Sequence, residues 1–225
     1  MSAAPAVRER AAGPGTTAQH AVEGLRRLLV SGELGPGDRV RQEELAESLG
    51  VSLAPVREAL ATLEQEGQVT YLPRRGYFVT ELDLGDMVEI YELRALLEER
   101  AARRSLPLLD EDAIERIELA ARECVDAAAE GDVVAELAAN RRFHFAVLSS
   151  PDQAHTLRLI RLLWDSTETY RARYYSSPEG RAESVEAHDE IIAAIRARDA
   201  DRLVAAQDAH RGRALERLRL VLQQA

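Results

Sequence analysis

At 225 residues, the chain is long enough for two domains, each with a core of its own. No apolar run approaches membrane-spanning length, no secretory-type apolar segment opens the chain, and the single cysteine, Cys124, rules out an intramolecular disulfide, so a cytoplasmic protein is expected. The net charge of −10 speaks against a nucleic-acid binder until the chain is divided: residues 1–80 hold 9 Arg against 10 acidic residues, and residues 81–225 hold 20 against 29.

Residues 1–16, rich in Ala, Pro and Gly, are expected to form a disordered tail. From Thr17 to Ser31, Val22, Leu25, Leu28 and Leu29 recur at helical spacing, and Gly32 ends the helix. A turn at Gly35-Pro36-Gly37-Asp38 leads to a short helix carrying Leu45, Ala46 and Leu49, which Gly50 stops. Ser52 is the expected cap of a second helix, with Pro55 in its first turn and Val56, Leu60 and Leu63 on its buried stripe. Two helices joined by so tight a Gly-Val-Ser corner predict a helix-turn-helix. Gln68–Leu72 and Tyr77–Thr80 then alternate like the strands of a hairpin, with Pro73-Arg74-Arg75-Gly76 as a cationic turn. Helix-turn-helix plus hairpin makes a winged helix, whose usual partner is DNA.

These residues resemble the DNA-binding domain of the GntR family of bacterial transcription regulators. The resemblance rests on E-E-L-A-E-S-L-G-V-S-L-A-P-V-R-E-A-L at Glu43–Leu60, L-E-Q-E-G at Leu63–Gly67 and R-G-Y-F-V at Arg75–Val79, and it spans 17–81. It implies that the start of the second helix enters the major groove, with Arg57 reading bases or phosphate and Ser52 bonding phosphate. Arg74, Arg75 and Gly76 at the wing tip suit the minor groove, and Arg39 and Arg41 add local positive charge. Leu53 and Ala54 stand where the family usually places Arg and then Thr or Ser, so two base-reading positions are apolar here.

After Asp83, an expected N-cap, the chain reads as six helices, about 84–105, 110–130, 132–149, 153–176, 179–198 and 200–223. The fold class is thus mainly α, a winged helix-turn-helix followed over residues 82–225 by a helical bundle. His144 and Asn140, four residues apart, share a helical face with Leu137, Val147 and Leu148. His188 sits among Val185, Ile191, Ile192 and Ile195, and His210 among Leu203, Ala206, Ala214 and Leu218. A single such His is more often a hydrogen-bonded core residue, but three on the apolar stripes of three helices point jointly to a bound cation. Arg94, on the stripe Met87, Ile90, Leu97, Ala101, is expected to point inward, either to receive an anion or to pair with Glu98. Trp164, Tyr170 and Arg171 are candidates for the same pocket or for plain core.

Residues 84–225 resemble the FCD domain, the effector domain of the FadR-type branch of the GntR family. The segments that carry this are Y-E-L-R-A-L-L-E-E-R-A-A at Tyr91–Ala102, N-R-R-F-H-F-A-V-L at Asn140–Leu148, E-A-H-D-E-I-I-A-A-I at Glu186–Ile195 and D-A-H-R at Asp208–Arg211. The resemblance implies a divalent metal held by Asn140, His144, His188 and His210, with Asn140 in place of the usual Asp. A neutral, imidazole-rich set suits Zn or Ni better than Mg or Ca. Six bundle helices rather than seven lean toward the VanR-like subgroup. The function implied is a ligand-responsive regulator, expected to be a homodimeric repressor on a palindromic operator, with a small organic acid as effector bound near Arg94. The alternatives are a metal-dependent enzyme using the three His and a sensor of the metal itself. Against the enzyme, Glu186 and Asp189 flank His188 but point elsewhere on their helix, so no general base is evident.

Overall fold

A computed structural model describes residues 16–175 and 178–223; the expected tail lies outside them except for Thr16. The first helix, α1 (Thr17–Ser31), opens on a capping box in which the Thr16 hydroxyl accepts from the Gln19 amide and Gln19 bonds back to Thr16. Helices α2 (Gln42–Leu49) and α3 (Leu53–Gln65) meet at Gly50, whose φ of +65° is the left-handed value that lets the chain turn so sharply. Ser52 occupies the N-cap position of α3 but makes no side-chain cap bond, which leaves its exposed hydroxyl unspent.

Three strands follow the order β1-β3-β2, all antiparallel: β1 (Arg39–Val40), β2 (Val69–Leu72) and β3 (Gly76–Val79). The hairpin was legible, whereas β1 was not, because a two-residue strand carries no alternation to read. Its pairing sets Arg39 opposite Phe78 and brings Arg39 up to the wing turn. Leu25, Leu29, Val56, Leu60, Leu63, Val69 and Val79 close the winged-helix core. Arg26 of α1 clamps Glu66 at the end of α3 through two bonds of 2.6 and 2.7 Å.

The remainder is helical: α4 (Leu84–Ser105), a 3-10 turn at Leu106–Leu108, α5 (Glu111–Glu130), α6 (Val133–Leu148), α7 (Ala154–Ser166), α8 (Glu168–Tyr175), α9 (Pro178–Arg196) and α10 (Ala200–Gln223). Asp83 caps α4 through a capping box with Asp86. The one departure from the expected order is the stretch 153–176, which is two helices. The Ser166 hydroxyl donates to the Leu163 carbonyl (3.1 Å) and the Thr167 hydroxyl to the carbonyls of Leu163 and Trp164 (3.3 and 3.2 Å), so side chains compete for the carbonyls that a continuing helix would use. Seven bundle helices are therefore present among the described residues, and the count that leaned toward the VanR-like subgroup does not hold. No helix among them is long and apolar enough to cross a membrane. Cys124 is buried in α5, and burial pushes its thiol pKa up to about 12, which suits a packing residue better than a nucleophile.

Candidate metal centre and nucleic-acid surface

The inward faces of α6, α9 and α10 bring His144, His188 and His210 together, all buried, with one ligand atom of each within 4.8 Å of the others. His144 Nε2 stands 3.2 Å from His210 Nε2, and His188 Nε2 stands 3.1 Å from Asn140 Oδ1. Asn140, one turn before His144, is itself buried and turns its carbonyl oxygen into the cluster. Burial drives the pKa of all three rings down, that of His188 to about 4, so the rings are neutral at pH 7 and present lone pairs rather than charge. Phe143 stacks on His188 with centroids 4.0 Å apart, and Trp164 closes over His144.

A cavity beside the cluster is lined by Asn140, His210, Arg94, Trp164, Arg171 and Arg211, among others. Arg94 and Arg171 lie over the Trp164 ring, their guanidinium carbons 4.3 and 4.4 Å from its centroid. Buried Glu98 accepts from Arg94 Nε (2.9 Å), Trp164 Nε1 (2.7 Å) and Arg211 Nη1 (2.5 Å), and Arg211 also bonds Asp208. Arg94 thus pairs with Glu98, the second of the two expectations for it, and it also lines the cavity. Arg171 differs. It is 5% exposed, its Nη2 donates to the Trp164 carbonyl at 3.3 Å, and its Nε and Nη1 have no partner among the described residues. Burial and the neighbouring Arg94 push its pKa below the ordinary guanidinium range.

On the winged helix, Arg57 is exposed on the outer face of α3, and its Nε donates to Gln42 Oε1 at 3.3 Å rather than pairing with Glu64. Leu53 does not project outward: it is partly buried and packs against the domain core, while Ala54 is exposed. At the wing, Arg74 and Arg75 are both exposed; Arg74 has φ +65°, Gly76 has φ +93°, and Arg75 lies over Phe78. Arg41 is spent on Glu44 at 2.8 Å.

Residues 17–79 match the model of the family described as bacterial regulatory proteins, gntR family, and residues 89–213 match that of the FCD domain. The chain is 30% identical to the HTH-type transcriptional regulator YdhC of Bacillus subtilis, over 72% of each chain. It is 29% identical to the Nta operon transcriptional regulator of Aminobacter aminovorans, over 81% of this chain and 85% of that one. This chain belongs to the GntR family. Its fold is also that of Escherichia coli McbR/YncC, with a TM-score of 0.77 at 23% identity over 94% of this chain and 99% of that one. These GntR relatives are transcriptional regulators, not enzymes.

Two features of this GntR-family bundle escaped sequence reasoning. Glu98 was expected as a partner of Arg94 alone, yet it also accepts from the buried Arg211. Glu136, one turn before Asn140 on α6, is 1% exposed, has no partner for either carboxylate oxygen among the described residues, and is pushed by burial to a pKa of about 7. Between pH 4.5 and 7 the folded chain holds a proton there that the unfolded chain has released, so stability falls as pH rises through that window. Glu136→Gln is expected to stabilise the fold on the order of 2 kcal/mol at pH 8 and to change nothing near pH 4. Urea titrations at the two pH values check this, and equal stabilities at pH 8 would refute it.

Proposed function

We propose that the chain is a cytoplasmic, homodimeric repressor that binds a palindromic operator and answers to a small organic acid at a metal site. The observation that carries this reading is a cluster of three neutral imidazoles beside a cavity that His210 and Asn140 share with Arg171, a guanidinium with two nitrogens unpartnered among the described residues. The residues fit a divalent ion: ring nitrogens converge, burial keeps them unprotonated, and Asn140 adds a neutral oxygen. Asn140, His144, His188 and His210 would hold it, and Zn or Ni suits so imidazole-rich a set. Such an ion would supply a Lewis-acid centre for a carboxylate oxygen. The anion-receiving role expected of Arg94 fits Arg171 better, because Arg94 Nε is committed to Glu98 while Arg171 has donors to spare.

Helix α8 supplies the route from pocket to DNA. Arg171 reaches into the cavity, and the preceding Tyr170 holds the linker between wing and bundle: its hydroxyl accepts from the Leu82 amide at 2.7 Å and lies 3.3 Å from the Leu82 carbonyl. An anion drawn to Arg171 would bias the position of α8, and with it the presentation of the winged helices. Arg57, Ser52 and the wing residues Arg74, Arg75 and Gly76 would meet the DNA.

Fluorescence anisotropy on DNA from upstream of the protein's own operon tests this. Arg57→Ala is expected to weaken specific binding roughly tenfold or more. Intact binding would mean that α3 is not the recognition helix. Small carboxylates should release the wild-type complex, and only when metal is present. Release that follows metal concentration with no acid added would favour a sensor of the metal itself.

A further inference from the structure

Arg39 and Arg41 flank Val40 and carry the same charge, yet the fold leaves only the first of them free. Arg41 is committed to Glu44 at 2.8 Å. Arg39 is exposed and holds no ion pair among the described residues. The two acids that share its groove are engaged elsewhere, Glu44 with Arg41 and Glu33 with the Ser31 hydroxyl at 3.0 Å. Alternation along the strands decides where Arg39 points. Val40 and Val79 are buried in the winged-helix core, so their neighbours Arg39 and Phe78 take the opposite, outer face, where the register pairs them directly. Thr70 of β2 completes that row. The Arg39 guanidinium then reaches along β3 to the turn, its Nη2 lying 4.0 Å from the point where a side chain on Gly76 would begin. Arg75 comes to the same face from the turn itself, its guanidinium carbon 5.0 Å from the Phe78 centroid.

We infer that Arg39 is a phosphate-binding residue of the DNA surface, set one strand to the side of the wing tip, and that Arg41 is not. Dimensions favour phosphate over base. Adjacent strands lie about 4.8 Å apart, and the minor groove is about 6 Å wide. With Arg74, Arg75 and Gly76 in that groove, β1 lies over its wall, where the phosphates are. The strand order β1-β3-β2 leaves β1 at the edge of the sheet, so no further strand stands between Arg39 and the duplex. The guanidinium fork matches two phosphate oxygens at once. Residues 1–80 carry 9 Arg against 10 acidic residues, so their attraction to DNA depends on the few guanidiniums that no carboxylate cancels. Arg39 is one of these, and its strand pairing delivers it to the wing.

This inference rests on the DNA-binding reading above, and binding of the full chain to two duplexes across a salt series separates the two. The duplexes are the fragment from upstream of the operon and a scrambled sequence of equal length. Arg39→Ala is expected to lower the slope of log affinity against log salt by about 0.9 for each chain bound, and to weaken both duplexes about fivefold per chain at about 0.15 M salt. The ratio between the duplexes should stay at the wild-type value, because a phosphate carries no sequence. Arg39→Gln, which keeps most of the side-chain stem, should match Arg39→Ala, and Arg39→Lys should keep the wild-type slope. Arg41→Ala should leave slope and affinity unchanged. An unaltered slope in Arg39→Ala and Arg39→Gln, a loss confined to the upstream fragment, or an equal loss in Arg41→Ala overturns the assignment of Arg39 alone. A wild-type chain that binds neither duplex overturns the DNA-binding reading itself.

Discussion

His144→Ala is expected to yield folded protein with essentially no bound divalent metal, against about one ion per chain for the wild type. His144 is the centre of the cluster: its Nε2 faces His210 Nε2, and its ring meets those of His188, Phe143 and Trp164. Removing it leaves two imidazoles and one amide oxygen, too few for a closed four-coordinate site. Loss even of a group that only orients a ligand typically costs 10–100-fold in affinity, so loss of a ligand should cost roughly 100-fold or more. His188→Ala should behave alike, because it deletes a ligand and the contact to Asn140. Asn140→Asp should act in the opposite direction, since a carboxylate adds the negative charge that the present set lacks. Metal analysis of purified protein after dialysis checks all three, and an unchanged stoichiometry in His144→Ala would remove the site. The same variant should then bind DNA but ignore carboxylates.

The second large effect is on stability. Glu98→Gln is expected to cost about 3–5 kcal/mol at pH 7, because it leaves the guanidiniums of Arg94 and Arg211 buried without their counter-charge. Burial alone would raise the Glu98 pKa, but Arg94 and Arg211, helped by the Trp164 indole, hold it below the ordinary carboxylate range. A depressed carboxylate pKa contributes stability that is present above the unfolded value and is lost as pH falls through the folded one. The gap between wild type and Glu98→Gln should therefore narrow in acid. Urea unfolding at pH 7 and at pH 3 measures this; a loss below about 1 kcal/mol at pH 7 would show that the two guanidiniums find other partners or water. If the pocket takes an anion, added carboxylate should recover part of the loss.

How much of this the amino-acid order discloses depends on how far apart the interacting residues lie in the chain. The winged helix was legible because its determinants are local: Gly50 at a left-handed corner, the 3.6-residue stripe of α3, and a turn carrying Gly76. Asn140 and His144 were legible for the same reason, being one turn apart on α6. That His188 and His210 close on them was an expectation from apolar periodicity and family resemblance, and it needed the packing of α6, α9 and α10 to become a distance. Leu53 shows the limit on the DNA side, since the sequence shows only that a base-reading position of the family is apolar here, and it took the structure to show that side chain partly buried against the domain core.

The amino-acid sequence by itself determined the helices, the winged-helix turn and the faces on which the imidazoles lie, because backbone hydrogen bonding and hydrophobic periodicity act over a few residues. Only tertiary structure decided that Glu98 serves two arginines more than a hundred residues apart in the chain, that Arg171 lines the cavity with two nitrogens unpartnered among the described residues, and that Ser166 and Thr167 divide the helix ahead of it. Counter-charge in a buried site is settled by which side chains share a volume, and a shared volume belongs to the packing of distant segments.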